Sequence, residues 1–125
     1  MLPPVFPLLR AAQAVTALIG TSPTRAFRHG SAPQNVAAPY VTWAVISGVP
    51  QNALDEVPRV DQLSVQVDCW SDNTGTGSAA VEQLATAVRD ALEPHAHMVS
   101  GPADSRDPET MRYRITMTFD FWRSR

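Results

Sequence analysis

Two stretches of strict two-residue alternation constrain this chain more than any other feature. From Arg59 to Ser71, Leu63, Val65, Val67 and Cys69 point one way while Gln62, Ser64, Gln66 and Asp68 point the other. From about Thr110 to Trp122 the pattern returns, with Tyr113, Ile115, Met117, Phe119 and Phe121 set against Arg112, Arg114, Thr116, Thr118 and Asp120. A strand with one apolar and one polar face belongs in an antiparallel sheet that buries a single side. The rest of the chain must supply the cover for that side.

Two helices can do so. The first is expected from about Pro7 to Ile19, with Leu8, Ala11, Ala12, Val15, Leu18 and Ile19 on one face and Gly20 as the stop. The second is expected from Ser78, a candidate N-cap, to Leu92, with Val81, Leu84, Ala85, Val88 and Leu92 as its apolar stripe and Pro94 closing it. Further strands are read at Thr24–Gly30, Pro39–Ser47 and His95–Ser100. Gly48–Pro58 and Gly101–Pro108 read as loops, and Asp72–Gly77 as a turn. The order α-β-β-β-α-β-β predicts an α+β fold, a mostly antiparallel sheet of four to five strands with two helices packed on one face. At 125 residues a single domain is expected, large enough to form a core without disulfide or metal.

Chemistry was sought in this frame and not found. The net charge of −2 argues against a nucleic-acid-binding module, which needs clustered cations to displace phosphate counterions. Cys69 falls on an inward strand position and reads as a small core residue, not a nucleophile. His95-x-His97 is the one metal-like spacing, but it lacks the further ligands that a zinc site requires, and His29 stands alone. Asp104, Asp107 and Glu109 read as loop carboxylates with no arrangement that would drive their pKa values apart. Gly75-x-Gly77 lacks both the third glycine of a dinucleotide fingerprint and the Gly-Lys-Ser/Thr ending of a P-loop. No catalytic residue, cofactor site or metal site is assigned. The N-terminus has no signal-peptide pattern and no apolar run approaches a membrane span, so a soluble, non-exported chain is expected, with no membrane partner.

The polar face of the sheet is the candidate functional surface. Trp70 and Trp122 fall on it among Arg112, Arg114, Asp68 and Asp120. Tryptophan and arginine with balanced acid match the composition of protein–protein interfaces. The Gly48–Pro58 connection, carrying the Asp55-Glu56 pair, is long for a hairpin and is the second candidate contact region. The charged fraction of 18% lies below the usual quarter, which fits a surface partly covered by another chain.

The blocks in sequence also resemble a known family. Thr24-Arg25-Ala26-Phe27 and Pro33 follow the first helix; then come Ala38-Pro39-Tyr40-Val41 through Ile46-Ser47-Gly48. Val65-Gln66-Val67-Asp68-Cys69-Trp70-Ser71 precedes the second helix, and Tyr113-Arg114-Ile115-Thr116-Met117-Thr118-Phe119-Asp120-Phe121-Trp122 forms the C-terminal block. In order and spacing these resemble the tail completion (tail terminator, tail-to-head joining) proteins of long-tailed bacteriophages. The resemblance implies a non-enzymatic virion protein, assembled in the host cytoplasm, that forms a homo-oligomeric ring of about six subunits at the head-proximal end of the tail. Its partners would be further copies of itself, the tail tube protein and the head-tail connector or stopper, with DNA only passing through the lumen. Another connector or minor tail subunit is the nearest alternative, and a small-molecule-binding or enzymatic domain the more distant one.

Overall fold

The computed structural model describes residues 2–28, 32–52, 54 and 56–125. Helices α1 (Val5–Ala11) and α2 (Gln13–Ile19) lead into β1 (Ala26–Arg28) and β2 (Tyr40–Pro50). Strand β3 (Val60–Trp70), helix α3 (Gly77–Leu92), and strands β4 (His97–Arg106) and β5 (Tyr113–Ser124) follow. The five strands form one sheet in the order β1-β2-β3-β5-β4. Three pairings are antiparallel and β1 runs parallel to β2, so the α+β class and mostly antiparallel sheet hold, in a mixed sheet.

The alternation places the core as expected. Val65, Val67 and Cys69 of β3 and Ile115, Met117, Phe119 and Phe121 of β5 are buried beneath the helices. They meet Val81, Leu84, Ala85, Val88 and Leu92 of α3 in one apolar cluster. At about 1.5–3 kcal/mol for each large side chain removed from water, the α3 stripe holds that helix against the sheet. The same burial pushes the Cys69 thiol far above its ordinary pKa, with the neighbouring Asp68 charge adding to the effect.

The expected first helix is two helices, so three cover the sheet. Ala12 leaves helical geometry (φ −87°, ψ 110°) between α1 and α2. The buried residues are Val5 and Leu9 before the break and Val15 and Ile19 after it. Leu9 and Val15 are six residues apart, which in a continuous helix of about 100° per residue would put them roughly 120° out of line. The break restores both pairs to the core, so burial overrides alanine's helix preference. Of the expected face, Leu8, Ala12 and Leu18 are half-buried and Ala11 is exposed.

Four further boundaries differ. Helix α3 begins at Gly77 and not at Ser78, and Thr76 before it makes no side-chain capping bond. Gly77 is required by close approach: a Cβ there would lie 2.3 Å from the Asp72 carbonyl oxygen and 2.8 Å from the Tyr113 ring. Strand β2 continues through Gly48–Pro50, which pair with Leu63, Gln62 and Asp61, so the first three residues of the expected loop are strand. Strand β4 runs through Gly101 and Pro102 to Arg106, placing Asp104 on a strand. As an edge strand it needs backbone partners on one side only, so Pro102 costs it nothing on the free side. The first strand is only Ala26–Arg28; the Gly30 end of its expected range lies outside the described residues.

Candidate functional site

The helix-free face of the sheet is built in rows by the strand register. Tyr40, Trp70 and Arg114 share one row, Thr42, Asp68 and Thr116 the next, and Ala44, Gln66 and Thr118 a third. Farther along lie Ser47, Ser64 and Asp120, and finally Val49, Gln62 and Trp122. Trp70 and Trp122 therefore share the face, as expected, but stand at opposite ends of it. Their rows are eight residues apart along β5, from Arg114 to Trp122, or roughly 26 Å at about 3.3 Å per residue.

The Trp70 end is closed upon itself. The half-buried Trp70 ring stacks on Tyr40 with centroids 5.9 Å apart and planes 6° from parallel. Its indole N–H donates to Thr42 Oγ1 at 3.0 Å. The Arg114 guanidinium lies 5.3 Å from the Trp70 ring centre and donates through Nε to Ser105 Oγ at 3.1 Å. Arg112 lies just outside β5, 5.5 Å from the Tyr40 ring centre, and donates to the Val36 carbonyl at 3.1 Å. Asp68 is buried, accepting from Thr116 Oγ1 at 2.7 Å and from Gln66 Nε2 at 3.2 Å. Each of these groups has its partner within the chain.

The other end differs. Asp120 accepts from Ser64 Oγ at 2.6 Å and Gln62 Nε2 at 2.9 Å, but beyond it the surface is apolar and open. Trp122 is 51% exposed, and Ile46 and Val49 on β2 are each 53% exposed. Leu54 and Val57 in the β2–β3 connection are more exposed still. Glu56 in that connection pairs with Arg59 at 2.9 Å in solvent, and Asp55 lies outside the described residues. Arg125 grips Asp61 with contacts of 2.9 and 3.2 Å, and that bonding holds the Asp61 carboxyl below its usual pKa. The exposed apolar residues Ile46, Val49, Leu54 and Val57 escaped the sequence reading, which sought alternation and tryptophan. The signal available was an uncharged run, Ala44–Pro50, leading into a connection with two further large aliphatic residues.

The residues examined for chemistry are dispersed. His95 sits in the turn after α3 and His97 opens β4, so the two do not share a strand; His29 lies outside the described residues. Among the described residues no group of three or more His, Cys, Asp or Glu side chains could hold a metal ion. A groove of about 660 Å³ between α2 and α3 is lined by small apolar residues, Ala14, Ala17, Ala79 and Ala87, together with Glu82, Gln83, Thr86 and Asp90 of α3. No described helix is long and apolar enough to cross a membrane.

Residues 3–124 match the family model described as tail completion protein gp17. The chain belongs to that family. Membership makes it a structural protein of the phage tail, the coarse role that its sequence blocks suggested. The fold recurs in a chain of a solved structure titled "Virion of native gene transfer agent (GTA) particle", at 21% identity and a TM-score of 0.66. That alignment covers 94% of this chain and 90% of the other. No curated protein matches the sequence.

Proposed function

We propose that residues 1–125 act as one tail-terminator domain that works by assembling and not by catalysis. Copies form a closed ring, about six by resemblance, on the head-proximal end of the tail tube. The ring stops addition of tube subunits and presents a docking surface to the head connector or stopper, while DNA passes through its lumen. The observation that carries this reading is the gathering of exposed Ile46, Val49, Leu54, Val57 and Trp122 at one end of the sheet. Monomeric proteins rarely keep such apolar side chains together in water, and a tail subunit has neighbours to cover them. The family match over residues 3–124 supplies the tail context. The net charge of −2 suits a conduit that must let DNA slide past.

The test is copy number and position. Mass measurement and antibody labelling on isolated tails should find the protein in a small fixed number, six or close to it, at one end. Finding it distributed along the tube would overturn the ring and favour a minor tail subunit.

A further inference from the structure

The sheet has two outer edges, and they are unlike. On one side β1 covers only Val41–Trp43 of β2; among the described residues, nothing pairs with that edge from Ala44 to Pro50. On the other side, among the described residues, β4 pairs with β5 alone and nothing pairs with its outer edge. Charged side chains and proline are two of the ways in which natural edge strands are blunted. The Ala103–Arg106 part of β4 is blunted in this way, by Pro102 before it and by Asp104 and Arg106. His97–Ser100 has no proline and no carboxylate, lysine or arginine, and Ala44–Val49 has none either. Each of these two segments carries one bulged, exposed aliphatic residue: Ile46 on β2, 53% exposed, and Val99 on β4, 49% exposed.

Register places the two segments at the same height. Ser47 is joined through Ser64 and Asp120 to His97, Val45 through Val65 and Phe119 to Met98, and Ala44 through Gln66 and Thr118 to Ser100. The blunted part of β4 stands level with the part of β2 that β1 already occupies, since Ala103 is joined through Thr116 and Asp68 to Thr42, so a neighbour's β4 can follow β2 only along His97–Ser100 and must diverge from it at the irregular Gly101–Pro102 step to clear β1. Strand direction agrees as well. β2 is antiparallel to β3, β3 to β5 and β5 to β4, so β4 runs opposite to β2.

We infer that neighbouring copies of this chain join head to tail, the Ala44–Ser47 edge of one lying antiparallel to the His97–Ser100 edge of the next, with Ile46 and Val99 one step to either side of the level Val45–Met98 pair. The alternation of strand direction then continues unbroken across the subunit boundary. Because the joined segments sit at one height, successive copies need no shift along the strands, which suits a ring where an accumulating offset would wind a helix. Both segments lack Asp, Glu, Lys and Arg, and each exposes an aliphatic side chain, so each suits the other. This inference rests on the ring reading above and names the surfaces that make it.

Crosslinking tests it in isolated tails. Tails are prepared with Ile46→Cys, Val99→Cys, or both, and treated with a short bis-maleimide; Cys69 is buried and its thiol held protonated, so it stays silent. The double variant should give a ladder of covalent oligomers ending in a closed ring, while either single variant gives none. Ser47→Cys with His97→Cys, both exposed and level in the register, repeats the test should the first pair disturb assembly. Efficient self-crosslinking of Ile46→Cys alone would mean a two-fold contact between β2 edges and would overturn the inference. So would the absence of a ladder from both pairs in tails that carry the normal copy number. Copy number and labelled position in the same samples separate this failure from that of the ring reading, which would show the protein distributed along the tube.

Discussion

The two tryptophans on the open face occupy the same kind of sequence position and opposite physical situations. Trp70 is stacked on Tyr40, flanked by Arg114 and hydrogen-bonded to Thr42, so its aromatic surface and its donor are both satisfied inside the chain. Trp122 ends the same face beside Gln62 and Val49 with half its surface in water. Composition alone made them equivalent interface candidates. The difference teaches that tryptophan enrichment marks large amphipathic surface, and that only its neighbours decide whether the surface serves folding or association.

The largest effect that sharpens this contrast lies at the Trp70 end. Gly77→Ala would drive a Cβ into the Asp72 carbonyl and the Tyr113 ring, where backbone cannot yield. It should cost about 3 kcal/mol in a denaturant titration, near the upper end of overpacking penalties. A variant with an unchanged midpoint would show that this end is looser than its contacts imply.

A direct comparison comes next. Trp70→Ala removes the stack, the cation contact and the bond to Thr42, and should lower folding stability by about 2–3 kcal/mol. Trp122→Ala should leave folding within about 0.5 kcal/mol of the parent, as surface changes do. Its effect should fall on assembly, where loss of an interface tryptophan costs about 2 kcal/mol or more, roughly thirtyfold per contact. Circular dichroism with denaturant, beside tail-length distributions by electron microscopy, separates the two. If Trp122→Ala unfolds, or if it builds tails of normal length and head attachment, the contrast between the ends collapses.

The smallest effect concerns acid. Asp72 is held below its ordinary pKa by Thr74, through its hydroxyl and its N–H, and Asp107 by the N–H groups of Glu109 and Thr110. Asp61 is held down by Arg125 at the opposite end. A lowered folded-state pKa means that the stabilisation is fully present above the ordinary aspartate value of about 4 and is lost as pH falls through the folded value. These groups should therefore leave stability flat from pH 8 to 5 and weaken it below about pH 4. Denaturant midpoints at pH 7, 5 and 3 check this, and Asp72→Asn should flatten part of the acid limb. Equal midpoints at pH 5 and 3 would show that these bonds hold no more tightly in the folded chain than in the unfolded one.

Local pattern by itself determined the central strands β3 and β5, the inward set from Val65 to Cys69 and from Ile115 to Phe121, and the stripe of α3. Those features are periodic, and a period of two or 3.6 is readable wherever one side of an element is buried. Tertiary structure alone decided three others. The break at Ala12 exists because two buried pairs must face one sheet, a demand that no residue near Ala12 announces. The passage of β4 through Pro102 depends on that strand being an edge, where half the backbone groups need no partner. The separation of Trp70 from Trp122 follows from the register of β3 on β5, which fixes how far apart two residues of the same face will stand. Periodicity tells a side chain which face to take; pairing partners and sheet order decide what meets it there, because both are set by residues far away in the chain.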